Sequence, residues 1–382
     1  MEPWKRSPLP WLLLLSPLLL LSRSSSDPCI LLDEEGENCF CNFSTPEPEW
    51  NSITMCISSK EVAIHGGGHN LDVFLQQGGA ADPSKAADVL RALGLRRLKV
   101  KEAQVPALLL YQLLRALTYT RIQELTLEDL VISHPPLPPP SPTDRDLSLR
   151  ALHLRRVSLA GEGNFPVSIV PWLKPGLKAL SLTGLGLSNV PCPDLGTFKE
   201  LNSLDLSDNP EIRESGLTSA ACPKEFQALK DLELRNTSLQ SLEGVCRGLE
   251  AMGTNVRRLD ISYNELRDTA GTQCTWPPTL LSLNLSHAKL QSVPASLPKK
   301  LQQLVLSYNL LEKKPELPQV TDLILEGNPF TSCNVTDKSQ GEQAPESCWL
   351  SSGGIRSVST PCVLQASGTA ALALLRGVRA FS

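Results

Sequence analysis

The chain has 382 residues, 41% hydrophobic but only 5% aromatic, with 36 basic and 40 acidic residues and a formal net charge of −4. That length exceeds one small core and suits two ordinary domains or one elongated repeat array, while the mild acidity argues against a nucleic-acid-binding footprint. Leucine alone supplies 70 residues, and such dominance by one apolar type points to a packing position that recurs.

Residues 1–26 read as a secretory signal. Lys5 and Arg6 begin it, an apolar run from Trp11 to Leu21 follows, and Ser22 to Ser26 offer small residues for cleavage. The run is too short for a bilayer span, which needs roughly 20 apolar residues. Residues 27–60 form an acidic, proline-bearing cap holding Cys29, Cys39, Cys41 and Cys56. A segment of that composition cannot build a core, so disulfides are expected to close it. Three pairings are open, with Cys29–Cys41 and Cys39–Cys56 preferred. Zinc is disfavoured because Cys39-x-Cys41 lacks the usual ligand spacing.

Residues 61–332 repeat the pattern L-x-x-L-x-L-x-x-N-x-L about eleven times. Val62/Ile64 start the first strand, and later strands lead with residues 98, 125, 152, 180, 204, 232, 259, 283, 304 and 323. In each copy the alternating leucines of a short strand should face one shared core. Asn209, Asn264, Asn309 and Asn328 fall in the following turn, where an amide can satisfy backbone groups left unpaired by the curve. The expected fold is an α/β solenoid, a leucine-rich-repeat horseshoe with a curved parallel sheet and a disulfide-closed N-terminal cap.

Within the repeats, His65-Gly66-Gly67-Gly68-His69 superficially matches an esterase oxyanion segment or a metal pair. The chain has no G-x-S-x-G elbow, and no H-E-x-x-H or second histidine cluster to supply a third metal ligand, so a tight connection after the first strand is expected. Phosphate-cradling glycine motifs are missing too, and neither an enzyme nor a cofactor is expected. The insert Leu71–Leu93 places Leu71, Phe74, Leu75, Val89, Leu90 and Leu93 at the spacing of one apolar helical face. In the basic run Arg96, Arg97, Lys99 and Lys101, the register puts Arg97 opposite Glu124 and Lys101 opposite Glu128. Those two pairs are each worth a few tenths to about 1 kcal/mol, and they would leave Arg96 and Lys99 freer for a ligand. Six prolines between Pro135 and Pro142 make a stiff rim loop.

Further cysteines bracket successive repeats as Cys192–Cys222 and Cys246–Cys274, leaving Cys333 and Cys348 as a candidate pair. Sequons stand at Asn42, Asn236, Asn284 and Asn334. Asn284 should project from the concave sheet, where a glycan would block protein binding. Residues 333–352 read as a C-terminal cap and stalk. Residues 353–382 read as a removed propeptide for a glycolipid anchor joined at Ser352, with Ser351 or Gly353 as neighbouring choices. Removing both ends leaves 30 bases and 39 acids, a net charge of −9.

The stretches CNFS (41–44), EVAIHGG (61–67), RRLKV (96–100), ELTLEDL (124–130), WLKPGLKALS (172–181) and LDLSDNP (204–210) resemble the monocyte differentiation antigen family. So do LRNTS (234–238) and LNLS (283–286). These are leucine-rich-repeat co-receptors for bacterial lipopolysaccharide. The resemblance runs from Cys29 into the C-terminal tail, with the blocks in the same order. It implies a horseshoe, glycolipid-anchored at the cell surface or secreted in soluble form, with an apolar pocket near its N-terminal end. It also implies transfer of lipopolysaccharide and other microbial lipids from serum lipopolysaccharide-binding protein to toll-like receptor complexes. The pocket would be lined by Val62, Ile64, Phe74, Leu75, Val89, Leu93, Leu98 and Val100, with Arg96 and Lys99 as rim cations. Where the family has an acidic rim turn, this chain has Gly78-Gly79-Ala80-Ala81-Asp82-Pro83, with fewer acids. Oligomeric state, including a homodimer, is left open. The alternative is an adhesion or matrix protein that binds protein partners on its concave face.

Overall fold

The computed structural model of the protein describes residues 27–45, 49–67, 87–134, 136–141, 146–160, 168–191, 195, 198–218, 226–253, 255–266 and 275–330. The expected signal (1–26), C-terminal cap and stalk (333–352) and anchor propeptide (353–382) lie outside the described residues. Phe74, Leu75, Cys192, Cys222, Cys274, Cys333, Cys348, Asn334 and Ser352 lie outside them too.

Two compact units divide the chain, Met1–Arg145 with Leu159–Glu162, and Asp146–Ser158 with Gly163–Ser382. In the first, β1 (Cys29–Leu31) pairs antiparallel with β2 (Asn38–Phe43). A 3-10 helix (Trp50–Cys56) follows, then β3 (Glu61–Gly66), α1 (Ala87–Ala92), β4 (Arg97–Pro106), α2 (Ala107–Leu117) and β5 (Glu124–Ser133). Strands β2 to β5 run parallel, with Cys39, Val62, Leu98 and Leu125 in one row and Cys41, Ile64, Val100 and Leu127 in the next. Bridges join Cys29 to Cys41 and Cys39 to Cys56. The sulfurs of Cys29, Cys41 and Cys56 cluster closely, but all are spent in disulfides and none is a thiolate ligand.

Helix α2 follows the extended Pro106, whose fixed φ suits the start of a helix. Ala107, Leu110, Leu114 and Leu117 recur at three- and four-residue spacing and are buried, while Leu108 faces out. After β3 the chain turns at Gly66, with φ +76°. A side-chain carbon there would meet Ser44 N at 2.6 Å, so only glycine fits this close approach.

The second unit holds β6 (Ala151–Arg155), β8 (Ala179–Thr183), β9 (Ser203–Asp205), β10 (Asp231–Glu233), β11 (Arg258–Asp260), β12 (Ser282–Asn284), β13 (Gln303–Val305) and β14 (Asp322–Ile324). The two-residue β7 (Ser158–Leu159) spans the division between the units. All eight strands of the second unit are parallel and pair in sequence order. Their leading residues form one row: Leu152, Leu180, Leu204, Leu232, Leu259, Leu283, Leu304 and Leu323. The first seven are buried. Short helices α3 (Arg213–Thr218) and α4 (Leu242–Met252) cover this core between strands.

Four residues after each leading position the backbone is left-handed. Glu102, Asp129, Arg156, Gly184, Asp208, Asn236, Tyr263, His287, Tyr308 and Gly327 all have φ between 49° and 73°. Only two of the ten are glycine, so at the other eight the surroundings must offset roughly 1–2 kcal/mol of strain. Hydrogen bonds to the next repeat help to do so, as in Asp208 N to Arg235 O (2.8 Å), Tyr263 N to Ser286 O (3.0 Å) and Tyr308 N to Glu326 O (2.7 Å).

The asparagine that follows completes the turn. Asn264 Oδ1 accepts from Thr237 N and Leu239 N (both 3.0 Å), and its Nδ2 donates to Leu234 O (2.8 Å) and Ile261 O (2.9 Å). Asn209 and Asn309 repeat this arrangement, and Asn328 does so with one recorded amide donor, Leu311 N (3.2 Å). Thr237 holds the position by a single hydroxyl bond to Leu234 O (2.8 Å). Asn264→Ala should therefore cost about 2–4 kcal/mol, since it strips partners from several buried backbone groups. Thr237→Val should cost about 1 kcal/mol, because only one bond goes. Urea unfolding of the two variants checks this, and equal losses would deny the asparagine its bridging role.

Candidate functional site: the apolar N-terminal unit

The expected pocket residues fall into three groups. Val62, Leu98 and Val100 are buried on the core face of β3 and β4, and Ile64, opposite Val100, is half-buried. Val89 on α1 is 61% exposed, and Leu90 and Leu93 beside it are half-buried. Phe74 and Leu75 lie outside the described residues. The register thus joins the strand members, and α1 lies against α2 with no fully buried residue of its own.

The sequence reading missed a wider feature. Of the twelve large apolar side chains exposed among the described residues, nine belong to the first unit. They include Ile30, Leu31 and Leu32 after the first cysteine, Ile53, Met55 and Ile57 along and just after the 3-10 helix, and Leu108 on α2. The signal was present as apolar residues in a cap segment that lacks enough chain to bury them.

The basic run is organised around one acid. Glu61 on β3 accepts from Arg97 Nε at 2.6 Å and from Lys99 Nζ at 2.8 Å. Lys101 pairs with Glu128 at 2.5 Å, across the register anticipated for it. Arg97 does stand opposite Glu124, yet its hydrogen bond goes the other way, to Glu61, while the Glu124 charge also acts on it. Lys99, expected to stand freer for a ligand, is thus paired with Glu61 across the strands. The reason is geometric: Glu61 faces Arg97 directly on the neighbouring strand and reaches the next same-face residue, Lys99. Arg96 is half-buried and makes a long bond to Arg121 O (3.4 Å).

Three sequons differ in what a glycan would meet. Asn42 is exposed, and its Oδ1 accepts from Ser44 N, which leaves its amide nitrogen outward. Asn284 is half-buried, and its Nδ2 donates to Asp260 Oδ2 at 2.9 Å. Attachment there would leave that nitrogen a single N–H with which to keep the cross-strand bond. Asn236 is exposed, with Nδ2 bonded to Asp208 Oδ1 (3.0 Å). Cys246 is disulfide-bonded, with its partner outside the described residues.

The chain is 44% identical to monocyte differentiation antigen CD14 of Bos taurus, over 97% of this chain and 98% of that one. It belongs to the monocyte differentiation antigen CD14 family. Human toll-like receptor 2 is 32% identical over 48% of this chain and 22% of its own length. A solved structure described as a TLR13–ssRNA13 complex aligns with a TM-score of 0.48 at 22% identity, over 73% of this chain and 41% of that one. No family model matches. With the leucine-rich-repeat register described above, membership makes the chain a leucine-rich-repeat co-receptor of innate immunity. Among the described residues, no helix is long and apolar enough to cross a membrane.

Lys99, by hydrogen bonding, with Arg97 beside it, holds the Glu61 carboxyl below its ordinary value of 4.5. A carboxyl lowered in the folded state contributes stability that is complete above its unfolded value and lost as pH falls through the folded one. Glu61→Gln should therefore be less stable than wild type near neutrality, with the gap closing below about pH 4.5. Melting temperatures from about pH 7 to about pH 3 check this; a gap that persists at the acid end would mean that the carboxylate charge is not what matters.

Proposed function

We propose that the protein is a pattern-recognition co-receptor that binds bacterial lipopolysaccharide, and other acylated microbial lipids, in its first unit. In this reading it accepts the lipid from serum lipopolysaccharide-binding protein and passes it to toll-like receptor complexes, triggering innate immune and inflammatory signalling. It acts at the cell surface through a glycolipid at Ser352, and as a secreted soluble form. Kinship with CD14 along nearly the whole chain carries the proposal. The concentration of exposed apolar side chains in the first unit supports the placement.

Physical chemistry favours an apolar mechanism. A chain trimmed to a net charge of −9 repels an anionic lipid at long range. Each buried methylene contributes about 0.8 kcal/mol, so a few acyl chains outweigh that repulsion. Lipid phosphates then need only local cations. Arg96, which has no carboxylate partner among the described residues, is better placed for this than Lys99, which pairs with Glu61.

Phe74→Asp and Leu93→Asp should nearly abolish binding of labelled lipopolysaccharide, because a carboxylate in the apolar site must be desolvated. Lys99→Ala should weaken it by far less, and raised salt should not abolish it. Folded Phe74 and Leu93 variants that bind like wild type, with binding lost in salt, would replace the apolar mechanism by a charged surface. The anchor has its own check. Phosphatidylinositol-specific phospholipase C should release the protein from expressing cells, and unchanged surface staining would overturn the glycolipid.

A further inference from the structure

In the second unit, the residue two places before each leading leucine has a fixed backbone role. Its carbonyl accepts two amides of the next repeat: Arg150 O from Lys178 N (2.8 Å) and Ala179 N (3.0 Å), Lys178 O from Asn202 N (2.9 Å) and Ser203 N (3.1 Å). Lys230 O likewise accepts from Arg257 N (2.7 Å) and Arg258 N (2.9 Å). The backbone does the structural work here, so the side chain is free to be anything soluble. Along β6, β8, β9, β10 and β11 it is Arg150, Lys178, Asn202, Lys230 and Arg257. Leu281, Gln302 and Thr321 continue the row, which holds no acid.

All four cations are exposed. Among the described residues, Arg150, Lys230 and Arg257 have no carboxylate partner. Lys178 has only Glu200, at 4.0 Å with both side chains more than half exposed, a contact worth little. Adjacent like charges on neighbouring strands repel. An acidic chain that nonetheless aligns cations in this way has a surface fitted to an external anion.

We propose that this row binds a linear sulfated polysaccharide of the heparan sulfate class. Its shape is the first reason: the four cations span about 19 Å, in four inter-strand steps of about 4.8 Å each. The lining is the second. Lys178, Lys230 and Arg257 border a groove of about 540 Å³ with Lys199, against one acid, Glu200. At Arg257 it adjoins a second groove of about 670 Å³, where the Gln302 amide can meet sugar hydroxyls. Ser282 Oγ there donates to Gln303 Oε1 and Gln303 Nε2 to Asp322 Oδ2 (both 2.7 Å), and Asp322 is that groove's one acid. Neither groove is lined by an aromatic ring on which a nucleobase could stack. Neither has the predominantly apolar lining that acyl chains require.

The test uses the whole secreted protein on immobilised heparin. Wild type should bind, with affinity that rises with oligosaccharide length, falls steeply with salt as counterions are released, and disappears on desulfated heparin. Lys230→Ala with Arg257→Ala should weaken binding by about tenfold or more, and Arg150→Ala with Lys178→Ala by a similar factor. The charge-keeping pair Lys230→Arg with Arg257→Lys should bind nearly as wild type. So should Arg247→Ala, whose exposed cation on α4 pairs with Glu243 away from the row. Each position is exposed, and unchanged melting temperatures confirm that the variants fold. Wild-type affinity in both alanine pairs overturns the proposal, as does failure of wild type to bind. Competition by duplex DNA or phosphatidylserine vesicles as strong as by heparin also overturns it, in favour of a different class of anion. Lipopolysaccharide binding should be unaffected in every variant, which separates this test from that of the lipid site.

Discussion

No repeat in this chain can bury its own leucines. Leu204 is covered because Leu180 and Leu232 stand beside it in register, and each of those depends in turn on its neighbours. A strand of three residues has too little surface to fold alone, so stability resides in the interfaces between repeats. The disulfides of the first unit follow from the same constraint. Where the row of leucines gives way to Cys39 and Cys41, covalent bonds replace the missing apolar neighbour.

Backbone bookkeeping then decides what the turns must be. The left-handed residue after each strand sends its N–H to the next repeat, and Asn264 or its equivalents bridge two repeats through one amide. Those bonds hold strained conformations at Asp208, Tyr263 and Tyr308 without glycine. A regular turn also sets its side chains in a line. Tyr263, His287 and Tyr308 consequently stack on the surface, with ring centroids 4.4 and 4.6 Å apart.

Strand positions were legible because their cause is periodic. Leading residues at 204, 232, 259, 283 and 304 stand in one row, and the four asparagines sit in the turns where amide chemistry requires them. Ion pairing was less legible. Register put Arg97 level with both Glu61 and Glu124, and sequence alone does not say which of two flanking strands a flexible guanidinium will choose. The candidate lipid site was harder still. Val62 and Leu98 read as apolar strand residues, but the exposure of Ile53, Met55 and Ile57 is a property of the packed unit and has no periodic signature. The row of cations is periodic, yet it lies outside the leucine pattern and is seen only when repeats of unequal length are aligned on their strands.

That inequality has an evolutionary consequence. From Leu232 to Leu259 the chain uses 27 residues, but from Leu304 to Leu323 only 19, and both intervals deliver the strand to the same register. The length of chain between strands is thus uncoupled from the position of the strand itself. Insertions and deletions can accumulate in the connections, and substitutions can accumulate along the strand starts, each without a compensating change in the other. Changes in the connections can therefore alter one surface of the second unit while the strand register beneath it stays as it is.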